Sequence, residues 1–267
     1  MAPRSPVRRW RELQRALHDA GVERRGLVIG LDFDGTLSPL ARRPHLARLP
    51  AAMRRLLGRL ARSPQVSLAI ISGRALPDIA RRIGLRGAHY SGNHGLEIRG
   101  PRIAWRHPKA LSAAGDIRAL ARGLASAAEA FPGAFVEDKQ FTISIHHREM
   151  DPKHATALRN LLARSLKPFA GSLELAQGKK TWEIRPRTGW NKGHALLRIA
   201  RLTGQARHVL FVGDDRTDEE GFRTLGPRAI TVKVGRVGKT AARFRLGHQK
   251  EVRCLLELLV AISHEPS

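Results

Sequence analysis

The sequence predicts an α/β protein, a parallel-sheet core interrupted by an inserted unit of α+β character, and three observations carry that prediction. Four apolar runs of strand length, Leu27–Leu31, Val66–Ile71, Val209–Val212 and Ile230–Val234, each lead into a small or acidic residue. Helical stretches separate the first two; an apolar strand, a loop and a helix, repeated, are the mark of a parallel sheet buried on both faces. The middle of the chain, from about Pro108 to Arg185, breaks that rhythm with Ala-rich helices over Ala119–Ala130 and His154–Leu166. It also holds Phe141-Thr142-Ile143-Ser144-Ile145-His146, whose alternation predicts a half-exposed antiparallel strand. The insertion is placed at 108–185, with 1–107 and 186–267 forming the core.

At 267 residues and 42% hydrophobic content the chain has ample material for such a core. Trp10, Leu13 and Leu17 recur at helical spacing, which predicts an amphipathic helix docked on the body. Cys254, the one cysteine, excludes an intramolecular disulfide; in Val252-Arg253-Cys254-Leu255-Leu256 it is expected to pack inward as a buried thiol. No apolar run approaches the roughly 20 residues of a membrane span, and the basic start lacks a leader's apolar region, so no membrane association and a cytoplasmic location are expected. The formal net charge of +25 favours anionic partners. With aromatic residues at 5%, arginines spread along the chain and no basic tail, no specific nucleic-acid partner is expected.

Two acidic clusters carry the chemistry. In Leu31-Asp32-Phe33-Asp34-Gly35-Thr36, Asp32 and Asp34 sit two apart, where side chains on an extended strand share a face. They leave the carboxyl end of a buried strand, the edge at which open α/β sheets bind ligands. Close carboxylates repel, and a cation, or a division into nucleophile and proton donor, accounts for keeping them together. In Val212-Gly213-Asp214-Asp215-Arg216-Thr217-Asp218-Glu219 the later acids suit a helix start, with Thr217 and Glu220 at capping-box spacing. Asp214 and Asp215 remain at the strand end. With Asp32 and Asp34 they make a mainly carboxylate site, and hard oxygen ligands with few histidines indicate Mg2+ rather than zinc. Ser72, in Ile71-Ser72-Gly73-Arg74, can donate to a phosphate oxygen, and Lys192, ahead of a helix, can neutralise one. Gly235-Arg236-Val237-Gly238-Lys239-Thr240 imitates a phosphate loop but has Lys233 where the first glycine belongs, and His146-His147 lacks zinc spacing.

In this order, Asp32-x-Asp34-Gly35-Thr36, Ser72, Lys192 and Gly213-Asp214-Asp215-x-x-Asp218 resemble the four motifs of the haloacid dehalogenase-like hydrolases. The resemblance implies a Rossmann-like parallel-sheet hydrolase core with the insertion as its α+β cap domain. A narrower set is similar to the trehalose-6-phosphate phosphatases: Gly92-Asn93-His94-Gly95-Leu96-Glu97, Glu137-Asp138-Lys139, His147-Arg148, Gly178-Lys179 and Trp182-Glu183-Ile184-Arg185-Pro186. Phe33 departs from the tyrosine many members carry. On that resemblance Asp32 is the nucleophile and Asp34 the general acid and base. Mg2+ is held by Asp32, the Asp34 carbonyl and Asp214, with Asp215 and Asp218 in support, and Ser72 and Lys192 hold phosphate oxygens. Arg74, Asn93, His94, Glu97, Glu137, Lys139, His147, Arg148, Lys179 and Glu183 are the implied substrate-binding residues. The resemblance thus implies Mg2+-dependent hydrolysis of trehalose 6-phosphate by a protein expected to be monomeric. The alternatives are a related sugar-phosphate phosphatase, acting on sucrose phosphate or mannosyl-phosphoglycerate, and a nucleic-acid-binding protein on an inactive phosphatase scaffold.

Overall fold

The computed structural model describes residues 6–19, 26–178, 180–204, 208–236 and 238–263. The chain divides into two compact units, Met1–Trp105 with Trp190–Ser267, and Arg106–Gly189.

The first unit is built on β1 (Leu27–Leu31), β2 (Val66–Ile71), β3 (His89–Gly92), β4 (Glu97–Gly100), β5 (Ile103–Arg106), β10 (Val209–Gly213), β11 (Ile230–Val234) and β12 (Phe244–Leu246). They form one sheet in the order β12-β11-β10-β1-β2-β3-β4-β5. Pairing is parallel from β12 through β3, and β4 runs antiparallel to β3. The order reverses between β1 and β10, so the carboxyl ends of these two strands flank a topological switch point.

The apolar runs are continuous because both sheet faces are buried. Leu27, Ile29 and Leu31 join a core with Leu13 and Leu17 of α1 (Pro6–Asp19), Met53 and Leu57 of α2 (Ala51–Leu60), Ile79 of α3 (Leu76–Ile83) and the last helix. Val28 faces the other way, into a cluster with Leu196 and Ile199 of α6 (Lys192–Leu202) and Phe222 of α7 (Arg216–Leu225). The docked amphipathic helix expected around Leu13 and Leu17 is therefore present, with both leucines fully buried.

The second unit is a four-stranded antiparallel sheet in the order β6-β7-β9-β8, from β6 (Phe135–Asp138), β7 (Ile143–His146), β8 (Leu173–Gly178) and β9 (Thr181–Pro186). Ile143, Ile145, Leu173 and Ile184 pack with α4 (Pro108–Ala128) and α5 (Ala155–Leu166) through Ile117, Leu124, Leu158 and Leu162. The first Ala-rich helix starts eleven residues before the expected Ala119, because Pro108 suits a first helical position and the His107 side chain accepts the Lys109 N–H.

Two local expectations are corrected. The alternating segment is an antiparallel strand, but it is not half-exposed: β7 lies between β6 and β9, and Thr142 and Ser144 are buried as fully as Ile143 and Ile145. Cys254 is exposed. In α8 (Lys250–Ile262) the buried stripe is Val252, Leu255, Leu256, Leu259 and Val260. Residue 254 lies roughly 200° around the helix from 252, on the opposite side. A maleimide should consequently label Cys254 stoichiometrically in the folded protein within minutes, and labelling that requires denaturant would contradict this placement.

Candidate active site

Every core motif is delivered by a strand end or a helix start at one edge of the sheet. Asp32 follows β1, and its N–H donates to the Val212 carbonyl on β10 (3.0 Å), which registers the two acidic clusters against each other. Beyond it the chain curls at once: the Phe33 carbonyl accepts the N–H groups of Leu37 (3.0 Å) and Ser38 (2.8 Å). Gly35 makes this turn possible. Its φ is +86°, and a Cβ there would overlap the Asp214 carboxylate.

Lys192 is the centre of the site. Asn191 caps α6, its Oδ1 accepting the Gly193 N–H (2.9 Å), so Lys192 is the first helical residue and points inward. Its Nζ donates to Asp32 Oδ1 and Asp218 Oδ1, each at 2.8 Å, with the lysine 2% and Asp218 0% exposed. Asp32, Asp214 and Asp218 each offer a carboxylate oxygen within 4.8 Å of the others, a set able to hold a metal ion. Asp214 Oδ1 is buried without a hydrogen-bond partner, an acceptor that a cation could satisfy.

Burial, aided by the charges of Asp215 and Asp214 and opposed by Lys192, raises the Asp32 pKa from the ordinary 3.8 to about 7. Burial, with Asp218 and Asp215 nearby, raises Asp214 to about 7 as well. Burial pulls on the Lys192 ammonium in the opposite sense, but Asp218 and Asp32 outweigh it and keep its pKa well above the usual lysine value. Asp215 stands apart. Despite burial, Lys192 and hydrogen bonds from Asp218 and Thr217 hold its carboxyl far below the normal range.

The helix start differs from the expected Thr217–Glu220 pattern. Asp215 is the N-cap of α7, and the capping box closes on Asp218. Asp215 Oδ1 accepts the Asp218 N–H (3.0 Å) and the Thr217 hydroxyl (2.8 Å), while Asp218 Oδ2 accepts the Asp214 and Asp215 N–H groups at 2.9 and 3.0 Å. The helix thus starts two residues earlier than the Thr217 cap would set it, and the fold-back needs Gly213: a Cβ there would overlap the Asp218 carboxylate. Thus Asp218 joins the carboxylate triad, and Asp215 serves the helix instead.

Ser72 extends β2, accepting the Arg74 N–H on its Oγ (3.2 Å). Arg74 is turned toward protein acceptors. Its Nε and Nη2 grip both oxygens of Asp34 at 2.7 Å, and Nη2 and Nη1 reach the Pro44 carbonyl (2.8 Å) and Asp78 (2.9 Å). The Asn93–Glu97 loop packs beside this turn through His94 N–H to the Ser72 carbonyl (3.0 Å) and Asn93 N–H to the Arg74 carbonyl (2.8 Å). Asn93 and His94 both have left-handed backbones, φ 48° and 56°, the kind of strain that gathers at functional sites. Asn93 Nδ2 donates to Glu97 Oε1 (2.7 Å) and both residues are buried, while His94 is half-buried.

The trehalose-phosphatase family model matches residues 30–250. The protein named Probable trehalose-phosphate phosphatase H of Arabidopsis thaliana is 32% identical over 257 residues, covering 89% of this chain and 73% of that protein. Trehalose 6-phosphate phosphatase RA3 of Zea mays is 32% identical over 261 residues, covering 90% and 71%. The chain belongs to the trehalose-phosphatase family. Among solved structures, a trehalose-6-phosphate phosphatase related protein superposes with a TM-score of 0.78 at 26% identity, over 88% of this chain and 97% of that one. A trehalose-6-phosphate phosphatase of Aspergillus fumigatus gives 0.64 at 28% identity, over 93% and 97%.

Within this family member the second unit sorts its motif residues by sheet face. Glu137, Ser144 and Glu183 are cross-strand neighbours in one row, on the face opposite the isoleucines that meet the helices. Lys139 Nζ lies 3.5 Å from Glu183 Oε1, with both side chains buried. Glu137 Oε2 pairs with His146 Nε2 at 2.8 Å. His147 is placed elsewhere, stacked on Trp182 at 6.2 Å between ring centroids, and Arg148 is exposed. Lys179 lies outside the described residues.

Three contacts carry little signal in the sequence, although Arg74 itself is among the residues that the resemblance implies for substrate binding. Trp190 donates from Nε1 to the Gly95 carbonyl (2.8 Å), tying the Asn93–Glu97 loop to the start of α6. Asn191 aims Lys192, and Arg74 holds Asp34. The Ser/Asn-before-helix pattern could have identified Asn191; the other two rest on contacts between distant segments.

The raised carboxyls make a pH prediction. A carboxyl with a pKa of about 7 when folded and 3.8 when unfolded keeps a proton that the unfolded chain has lost, so Asp32 and Asp214 subtract stability as pH rises from 3.8 to about 7. A divalent cation relieves that repulsion and competes with those protons. Added Mg2+ should therefore raise the thermal midpoint more at about pH 8 than at about pH 5.5, as followed by scanning calorimetry. An equal shift at both pH values would place the cation elsewhere.

Proposed function

We propose that this chain is a Mg2+-dependent phosphatase that hydrolyses trehalose 6-phosphate to trehalose and phosphate through an aspartyl-phosphate on Asp32. The observation that carries this reading is the buried Asp32–Lys192–Asp218 arrangement at the strand ends, a carboxylate fixed beside a cationic group where open sheets bind ligands. Membership of the family supports the substrate.

Mg2+ fits the residues present. The donor set is all carboxylate, and an unpartnered Asp214 oxygen sits among the three. Asp32, Asp214 and Asp218, with the Asp34 backbone carbonyl, are the groups that would hold it. Bound there, Mg2+ offsets repulsion between carboxylates and a phosphate dianion.

Lys192 holds Asp32 Oδ1, which orients the second oxygen to attack phosphorus. As that P–O bond forms, the bond from phosphorus to the sugar oxygen breaks. Asp34 gives the leaving oxygen its proton, then takes one from the water that cleaves the aspartyl-phosphate. Both Asp34 oxygens are engaged by Arg74, so this role requires Asp34 to release one of those bonds as the substrate enters. The Ser72 hydroxyl and Lys192 supply positive character to phosphate oxygens as charge builds on them. Glu137, Lys139 and Glu183 offer carboxylates and an ammonium on one sheet face, a set suited to a sugar's hydroxyl groups.

Two experiments test the assignment. Asp32→Asn should lose roughly a thousandfold or more of phosphate release from trehalose 6-phosphate with Mg2+, the scale for removing a group on which catalysis acts as a unit. Asp34→Asn should be comparably impaired on the sugar ester yet much less in the first-turnover release of the alcohol from an activated aryl phosphate, whose leaving group needs little protonation. Equal losses on both substrates would remove the acid role from Asp34.

Sugar reading is tested separately. A buried polar contact is worth about 1–3 kcal/mol. Lys139→Ala or Glu183→Ala should thus lower kcat/KM for trehalose 6-phosphate by roughly ten- to several-hundred-fold, with a much smaller effect on the aryl phosphate. A panel including sucrose phosphate fixes the sugar, and parallel losses on all substrates would exclude a sugar-reading role.

A further inference from the structure

Lys233 and Glu219 have no part in the chemistry described so far. In the sequence, Lys233 is the residue that spoils a phosphate-loop pattern and Glu219 is one more acid in a first helical turn. The structure joins them behind the carboxylate cluster. Lys233 lies on β11 directly beside Gly213 of β10, so its side chain starts next to the strand end that carries Asp214. It is 8% exposed, and its Nζ donates to the Asp214 carbonyl (2.5 Å) and to the Asp215 carbonyl (3.3 Å). Glu219, also 8% exposed, approaches the same ammonium at 3.4 Å with Oε1, while its Oε2 accepts the Ala241 N–H at 2.8 Å.

We infer that Lys233 is a positioning residue for the divalent cation, an inference that rests on the Mg2+ reading above. Two successive peptide carbonyls bound to one ammonium fix the orientation of the peptide planes on either side of Asp215. This aims the Asp214 carboxylate at the triad and sets Asp215 as the cap that directs Asp218. An ammonium behind a cation site also repels the cation. Glu219 answers that problem: paired with Lys233, it leaves the strut close to neutral, so the lysine supplies hydrogen bonds without adding net positive charge. Groups that orient ligands in this way commonly change metal affinity by about 10–100-fold when removed.

The test is Mg2+ binding itself, measured by isothermal titration calorimetry on the full chain, alongside thermal midpoints without metal and activity across Mg2+ concentrations. Lys233→Met is expected to weaken Mg2+ binding by about 10–100-fold, with most of kcat recovered at saturating Mg2+. Glu219→Gln, which leaves the ammonium uncompensated, should weaken it as well. Should Lys233→Met fail to fold, Lys233→Arg keeps the charge and the donors at a different reach and should still weaken binding measurably. Wild-type affinity in the folded variants, with only a lower thermal midpoint, would reduce Lys233 to a structural prop and overturn the inference. Tighter binding in Lys233→Met would overturn it too, by showing that repulsion dominates. A wild-type chain that binds no Mg2+ would instead bring down the metal reading on which the inference stands.

Discussion

Lys192 enters the acidic cluster from the first turn of α6 and donates 2.8 Å bonds to Asp32 and to Asp218. Without that ammonium, three carboxylates within 4.8 Å would face one another, two of them, Asp32 and Asp218, almost wholly buried. Buried charge of this kind persists only when it is paired and hydrogen-bonded, and leaving it unpaired costs several kcal/mol. Much of the surrounding architecture can be understood as what this pairing requires. Asn191 caps the helix so that Lys192 comes first, Gly213 lets Asp218 fold back over the strand end, and the Asp32 N–H registers one acidic loop against the other.

Charge around the site is divided rather than pooled. Asp215 gives its carboxylate to the start of α7 and stays ionised, whereas Asp32 and Asp214 are driven up to about 7 by burial and by one another. The resulting pocket of carboxylates is short of positive charge by design of its geometry: one lysine serves two of them, and Asp214 Oδ1 has no partner. Such a set of carboxylates is able to hold a cation. Arg74 acts on the opposite flank. Its guanidinium fork on Asp34 keeps the second motif aspartate out of the triad, so two carboxylates two residues apart occupy separate environments.

Much of this was legible in the chain. The four apolar runs became β1, β2, β10 and β11 with bounds within a residue, because a strand buried on both faces leaves an uninterrupted apolar signature. Asp32, Ser72, Lys192 and Asp214 could be placed at strand or helix ends from local patterns alone. What failed were statements that depend on facing. The apolar neighbours of Cys254 predict an inward residue, but the helix phase that exposes it is set by how α8 packs. The expected exposure of one face of Phe141–His146 failed because β7 became an interior strand whose polar row is buried.

By itself, then, the sequence determined the α/β class, the insertion of an α+β segment and the acid-rich strand ends, since each is encoded in residues near one another in the chain and governed by local periodicity. Only the tertiary structure decided which of those acids share a centre. Asp218 rather than Asp215 completes the triad, Arg74 turns to Asp34, and Lys233 reaches back to the Asp214 and Asp215 carbonyls. These choices join residues as far apart in the chain as Asp32 and Asp218. They follow from strand register, helix phase and the demand that each buried charge find a partner, and that demand can be met only once the distant segments have been brought together.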